Sequence, residues 1–187
     1  MARISYPDRQ ALPAELRSIL GEKPRHAPID MLAHSPALAE RFLRLAQAQF
    51  TSLELPVRDR ELLILAVAAD VECDYEYLQH IPVSEAAGVD PALREAIWTG
   101  TIDTSALGER DRSLIAFVSA VLRFSHLDEH SVASARQLFS EREIVEILQL
   151  VGFYWGLGRL CTVLDLEVEV ATDLTSVNAV ANLSERM

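Results

Sequence analysis

Four residues within one short stretch, Glu61, Cys73, Glu76 and His80, offer the chain its chemistry. They set an acid, a thiol, a second acid and an imidazole around one helix–helix junction. Proton transfer and thiol chemistry use these groups. A helix from Glu61 to Glu72 climbs ~16 Å, and by His80 the next helix has come back ~9 Å. If the two are antiparallel, His80 lies within side-chain reach of Glu61. Glu76 and His80 are four apart and share one helix face. Cys73 falls at the second helix's N-terminus, where amide N–H groups and the helix dipole lower a thiol pKa.

Each residue also has an ordinary reading. Glu61 is a first-turn acid that suits the helix dipole, although the run Leu62 to Leu65 behind it points to burial and a partner. His80 is a surface or core histidine, and Glu76 pairs with it across one turn. Cys73 is a small core hydrophobe. Tyr75 and Tyr77 are packing aromatics. The four together, rather than any one, favour the functional reading.

The elements that must hold these groups read as helices. Residues 1–28 carry Pro7, Pro13, Pro24 and Pro28, and are expected to form an arm with one short helix near Ala14 to Leu20. Such an arm lies on its own core or on a neighbouring subunit. Residues 29–187 form the domain. Ser35-Pro36 starts a helix that runs to about Phe50. Leu55-Pro56 separates it from one that is apolar nearly all round and should be central. Asp74 is a plausible N-cap for a helix over roughly 75–87, with Pro82 inside it and Gly88 after it. Pro91 to Trp98 is a short helix closed by Gly100. Residues 109–125, 128–138, 141–158 and 165–181 are predicted helices, giving an all-α bundle of about eight to ten. Arg142-Glu143-Ile144 echoes Arg60-Glu61-Leu62 at the head of another apolar helix, as in a duplicated helical unit.

Bulk composition narrows the partners. Half of the 187 residues are hydrophobic and only 6% aromatic, a balance that suits packed helices. The net charge is −11 and Lys23 is the single lysine, which disfavours nucleic acid and anionic membrane. Cys73 and Cys161 make neither a disulfide framework nor a zinc pattern. No unbroken apolar run reaches the roughly 20 residues of a membrane span, and no apolar signal core follows Met1. The expected compartment is the cytoplasm, with both thiols reduced.

At Glu61 through His80 the chain resembles the carboxymuconolactone decarboxylase family, which includes the alkylhydroperoxidase D (AhpD) proteins. The family's redox members carry Glu, then Cys-x-x-Cys, then His. Here the steps from Glu61 to Cys73, Glu76 and His80 fit, with Glu76 where the second cysteine would stand. Tyr75-Glu76-Tyr77-Leu78-Gln79-His80 is similar to the Tyr-Glu-Trp-x-x-His form of non-redox members. His34-Ser35-Pro36, Ala86-Ala87-Gly88-Val89 and Val151-Gly152-Phe153-Tyr154-Trp155 through Arg159 extend the likeness over roughly residues 30–168.

The resemblance implies an AhpD-like bundle, no metal or organic cofactor, and assembly into homo-oligomers, trimers or hexamers. It also implies that a two-cysteine cycle is lost, because Glu76 cannot attack a peroxide and Cys161, far off on another helix, shows no claim to that role. The expected function is acid–base catalysis on a small cyclic carboxylate or lactone. His80 shuttles the proton, Glu61 orients it, and Glu76 is a second carboxylate. Tyr75 and a cation from Arg60, Arg58 or Arg159 would hold the substrate. One alternative is a one-cysteine peroxidase through Cys73, which the acids Asp74 and Glu76 oppose as like charges. Another is a non-catalytic oligomeric scaffold.

Overall fold

The structure, a computed structural model, describes residues 1–20 and 26–168. Among them it is all helical. The elements are α1 (Ala14–Leu20), α2 (Ala27–Leu32), α3 (Pro36–Thr51), α4 (Val57–Asp70), α5 (Asp74–Ala86), α6 (Pro91–Thr99), α7 (Glu109–Arg123), α8 (Glu129–Ala135) and α9 (Glu141–Leu164), with two 3₁₀ turns.

Helix α4 is the axis of the bundle. Leu62, Leu63, Ile64, Leu65 and Val67 are all inaccessible, and α5, α6, α7 and α9 pack around it. A helix with apolar residues on every side has no face to give to water, so it is central. Helix α9 is longer than the sequence suggests. By length and composition it is apolar enough to cross a membrane, even though charged residues interrupt it. In this fold Ile147, Leu150 and Tyr154 join the same core as α4.

The α4–α5 turn is the joint that matters for the site. Cys73 N–H reaches the Ala68 carbonyl (2.8 Å) and Glu72 N–H the Ala69 carbonyl (3.2 Å). These two bonds form a Schellman closure, which needs a left-handed residue between them. Glu72 supplies it at φ 52°, a conformation that glycine would adopt without a Cβ penalty. Cys73, not Asp74, is the N-cap of α5, because its N–H is already engaged in closing α4. Helix α5 then runs through Pro82 without a break.

The arm differs from its expected form in one element, as α2 begins at Ala27 with Pro28 in its first turn. Residues 2–6 lie on the end of α9. Arg3 N–H donates to the Leu164 carbonyl (2.8 Å), and the Tyr6 hydroxyl to Glu167 (2.7 Å). Arg9 is anchored on buried Asp30. The helix expected over 165–181 does not begin at its predicted start. Asp165 turns left-handed and ends α9, residues 166–168 are non-helical, and the remainder lies outside the described residues.

Candidate active site

The antiparallel return of α5 along α4 brings His80 onto Glu61. His80 Nδ1 lies 2.7 Å from Glu61 Oε2, and Glu61 is fully buried. The other carboxylate oxygen, Oε1, accepts from Arg60 Nε at 2.9 Å and Nη2 at 2.8 Å. Arg60 is itself buried. Its guanidinium lies over the Phe50 ring at 4.4 Å and donates to the Gln49 carbonyl at 3.3 Å. Neighbouring residues on a helix do not ordinarily face each other. Here the length of the arginine stem lets Arg60 fold back on Glu61.

Burial alone would push the Glu61 carboxyl up. Attraction to His80, the hydrogen bond between them and the nearby Arg60 outweigh it and hold the pKa below the usual carboxylate range. An ionised carboxylate only accepts hydrogen bonds, so Nδ1 of His80 carries the proton between them. Nε2 is therefore the working nitrogen. Burial would lower the His80 pKa, but the charge and hydrogen bond of Glu61, and Glu76 after them, raise it.

Nε2 points toward Glu76 Oε2 at 3.7 Å, beyond direct hydrogen-bond range. Burial drives the Glu76 carboxyl up to about 7, against the pull of His80. A carboxyl that titrates at about 7 and an imidazole raised above its ordinary value thus stand side by side, with the Glu61 anion behind the imidazole. The Tyr154 ring meets His80 edge-on at 5.4 Å. Its phenol is held well above the ordinary value by burial, with Glu61 and Glu76 adding to the effect.

His80 and Glu76 open onto a pocket of about 90 Å³. One water needs ~10–15 Å³, so the space admits several waters or a small molecule. Its walls are mostly aromatic and aliphatic: Phe42, Leu43 and Phe50 from α3, Phe153 and Tyr154 from α9, and Tyr75 from α5. Phe42 stacks on Phe153 at 4.2 Å. The Tyr75 hydroxyl lies 3.3 Å from His26 Nδ1.

The structure brings Glu61, Glu76, His80 and Tyr75 together. It does not bring the expected cations. Among the described residues no arginine or lysine lines the pocket. Arg60 is spent on Glu61, Arg58 pairs with Asp111 at 2.5 Å, and Arg159 is exposed on α9. Cys73 is buried outside the pocket, behind Tyr75. Sequence reasoning missed Phe42, Phe50, Phe153 and Tyr154 as pocket walls. The aromatic run at 153–155 was the one available signal.

Cys161 is far from Cys73 in sequence, yet the fold places both in one buried cluster. Of the acids beside Cys73, Glu76 does oppose a thiolate, but it is outweighed. The Cys73 pKa is lowered, first by the Cys161 thiol and, against burial, by backbone N–H groups of Glu76 and Tyr75. Glu76 opposes this as a charge, but a carboxyl that titrates at about 7 is an anion for only part of the time at neutrality.

A helical bundle with a Glu–His pair on adjoining core helices and a small apolar pocket defines the class. Residues 36–97, about a third of the chain, match the model of the carboxymuconolactone decarboxylase family. The fold is similar to an alkylhydroperoxidase AhpD core, peroxidase-related protein from Ralstonia eutropha (TM-score 0.77, 19% identity, covering 92% of this chain and 95% of that one). A peroxidase-related protein from Silicibacter is similar too (TM-score 0.72, 19% identity, 92% and 95%). So is the debrominase Bmp8 solved with 2,3,4-tribromopyrrole (TM-score 0.68, 18% identity, 100% and 99%). No curated protein sequence matches the chain. Over residues 36–97 the chain is thus similar to the carboxymuconolactone decarboxylase family, and its fold is that of the AhpD-like helical proteins.

Proposed function

We propose that this protein is an acid–base enzyme that moves a proton on a small, uncharged ring compound, with a lactone or related carbonyl as the substrate class. The 2.7 Å contact of His80 Nδ1 with Glu61 carries the reading, because it leaves Nε2 as a base whose strength Glu61 sets. Nε2 takes the proton from the substrate, the Glu61 carboxylate stabilises the imidazolium that forms, and the Glu76 carboxyl supplies or receives the second proton. Such transfers contribute about 10² to 10⁴ in rate.

Charge balance supports a lactone over a carboxylate. Arg60 and Glu61 cancel. With one proton between His80 and Glu76, the four groups sum to zero whichever of the two holds it. Among the described residues no arginine or lysine lines the pocket to receive a substrate carboxylate, and burying one against apolar walls is costly.

The test is solvent-deuterium incorporation next to the carbonyl of a panel of small lactones, followed by NMR, with each ring-opened carboxylate as the counterpart. Wild type should exchange lactones far faster than His80→Gln and leave the carboxylates untouched. Equal exchange by wild type and His80→Gln across the panel would end the proposal, and exchange of the carboxylates alone would overturn the choice of substrate class.

A further inference from the structure

Tyr154 is a polar side chain of the pocket wall that the acid–base reading leaves without a task. It lies on α9 and is only 4% exposed. Two neighbours fix its ring. Phe153 meets it edge-to-face at 5.2 Å, and His80 does so at 5.4 Å with the ring planes 86° apart. Phe153 is in turn stacked on Phe42 of α3. The tyrosine therefore stands beside the working base, on a different helix, and packing holds it there.

Its hydroxyl makes no hydrogen bond among the described residues. Buried hydroxyls are ordinarily paired, because desolvation without a partner is costly. Nor is this one sealed in. Among the described residues the fully enclosed polar side-chain atoms without a partner are the two amide atoms of Gln49. The Tyr154 oxygen therefore opens onto free space, and the space that this residue lines is the pocket. The other tyrosine of the wall is a contrast, since the Tyr75 hydroxyl is engaged 3.3 Å from His26 Nδ1.

We propose, on the acid–base reading above, that Tyr154 is the oxyanion donor of the reaction: its O–H donates to the lactone carbonyl oxygen while His80 Nε2 removes the neighbouring proton. The C–H bond beside the carbonyl breaks and its proton goes to Nε2. The electron pair forms the new C=C bond, and the carbonyl pair moves onto oxygen. Tyr154 keeps its proton and shares it with that oxygen. The Glu76 carboxyl then supplies a proton at carbon, and the carbonyl re-forms.

The enolate oxygen needs such a partner, because among the described residues no arginine or lysine lines the pocket to meet its charge. Burial, with the charges of Glu61 and Glu76, holds the Tyr154 phenol well above its ordinary value, so it remains a donor throughout. A donor fixed in place before the reaction needs no reorganisation as charge develops.

Tyr154→Phe removes one oxygen and keeps the ring. In the lactone exchange assay it should lower kcat about 10²- to 10³-fold and leave KM within a few-fold, since the bond strengthens only as the oxyanion forms. Its denaturant midpoint should equal or exceed that of wild type, because the hydroxyl has no protein partner to lose. A lower midpoint would assign the hydroxyl a structural bond and overturn the proposal. A variant as active as wild type, with His80→Gln inactive, would overturn the role of Tyr154 and leave the acid–base reading standing. Wild type no faster than His80→Gln would end that reading and the catalytic role with it. The contact is also read without turnover, from the infrared carbonyl band of γ-butyrolactone, ¹³C-labelled at the carbonyl and bound to the full chain. The band should lie at lower frequency than in cyclohexane, stay there in His80→Gln and return in Tyr154→Phe. A wild-type band at the cyclohexane position would overturn the proposal, whatever the variants do.

Discussion

Glu61 and Glu143 occupy echoing positions, each after an arginine near the head of an apolar core helix, yet the fold gives them opposite tasks. Glu143 is shut in by fixed donors. Its carboxylate closes a capping box with Ser140 and accepts from Arg110. Arg110 in turn holds Asp59 at 2.6 Å and the Leu138 carbonyl at 2.7 Å. The echoing arginine, Arg142, turns outward to Glu146. Glu61 instead keeps its own arginine on one oxygen and a titratable imidazole on the other. A guanidinium never releases its proton at usable pH, whereas an imidazole does. The same dipeptide is therefore a staple in one place and a proton device in the other, and the partner group decides which.

The strongest way to break this comparison is paired substitution. Glu61→Gln should lower kcat/KM on a lactone substrate by about 10² to 10⁴. Glu143→Gln should leave kcat/KM within a few-fold but lower stability by about 1–3 kcal/mol, because Arg110 loses a charged partner. Denaturant unfolding and steady-state kinetics on both variants check it, and the comparison fails if the two effects trade places.

Next in size is the pH dependence of Glu76. Its folded pKa of about 7 lies above the ordinary 4.5. The folded state therefore binds the proton more tightly, and the stability this gives is complete below pH 4.5. It is lost as pH rises through 7, by up to about 3 kcal/mol. Glu76→Gln should flatten that loss, so its advantage over wild type grows from pH 5 to pH 8 in urea titrations. Parallel curves for the two proteins would show that Glu76 ionises without penalty.

Smaller effects come from the turn that sets the site. Gly158→Ala places a methyl 2.6 Å from Val71 Cγ2, and overpacking of this kind typically costs about 1–3 kcal/mol. Glu72→Gly relieves the left-handed residue in the α4–α5 closure. The relief of about 1–2 kcal/mol is partly offset by glycine's entropy, leaving a gain of about 0.5 kcal/mol measurable as a rise in Tm.

Much of this was legible in the chain. The all-round apolar run after Glu61 marked α4 as central, and helical rise with a tight turn was enough to return His80 to Glu61. What stayed hidden was tertiary. Phe42, Phe50 and Phe153 are ordinary core aromatics until α3 and α9 meet across a pocket. Helix α9 packs on Cys73 and Val71 because Gly158 permits close approach, and neither spacing nor periodicity encodes that. The arginines misled because charge alone does not say which acid takes it. Arg60 was adjacent to its own partner, and Arg159 faced solvent. The helix α2 was obscured by Pro28, which opens a helix as readily as it marks a loop.

The central claim is that Glu61 tunes His80, and it can be tested without a substrate. The titration of the His80 ring nitrogens, followed by ¹⁵N NMR in wild type and in Glu61→Gln, reads it directly. The account predicts a wild-type pKa above the ordinary 6.5, Nδ1 protonated throughout, and a clear fall in the variant, where only Glu76 still works against burial and Arg60. A wild-type pKa at or below 6.5 that the substitution leaves unmoved would contradict it.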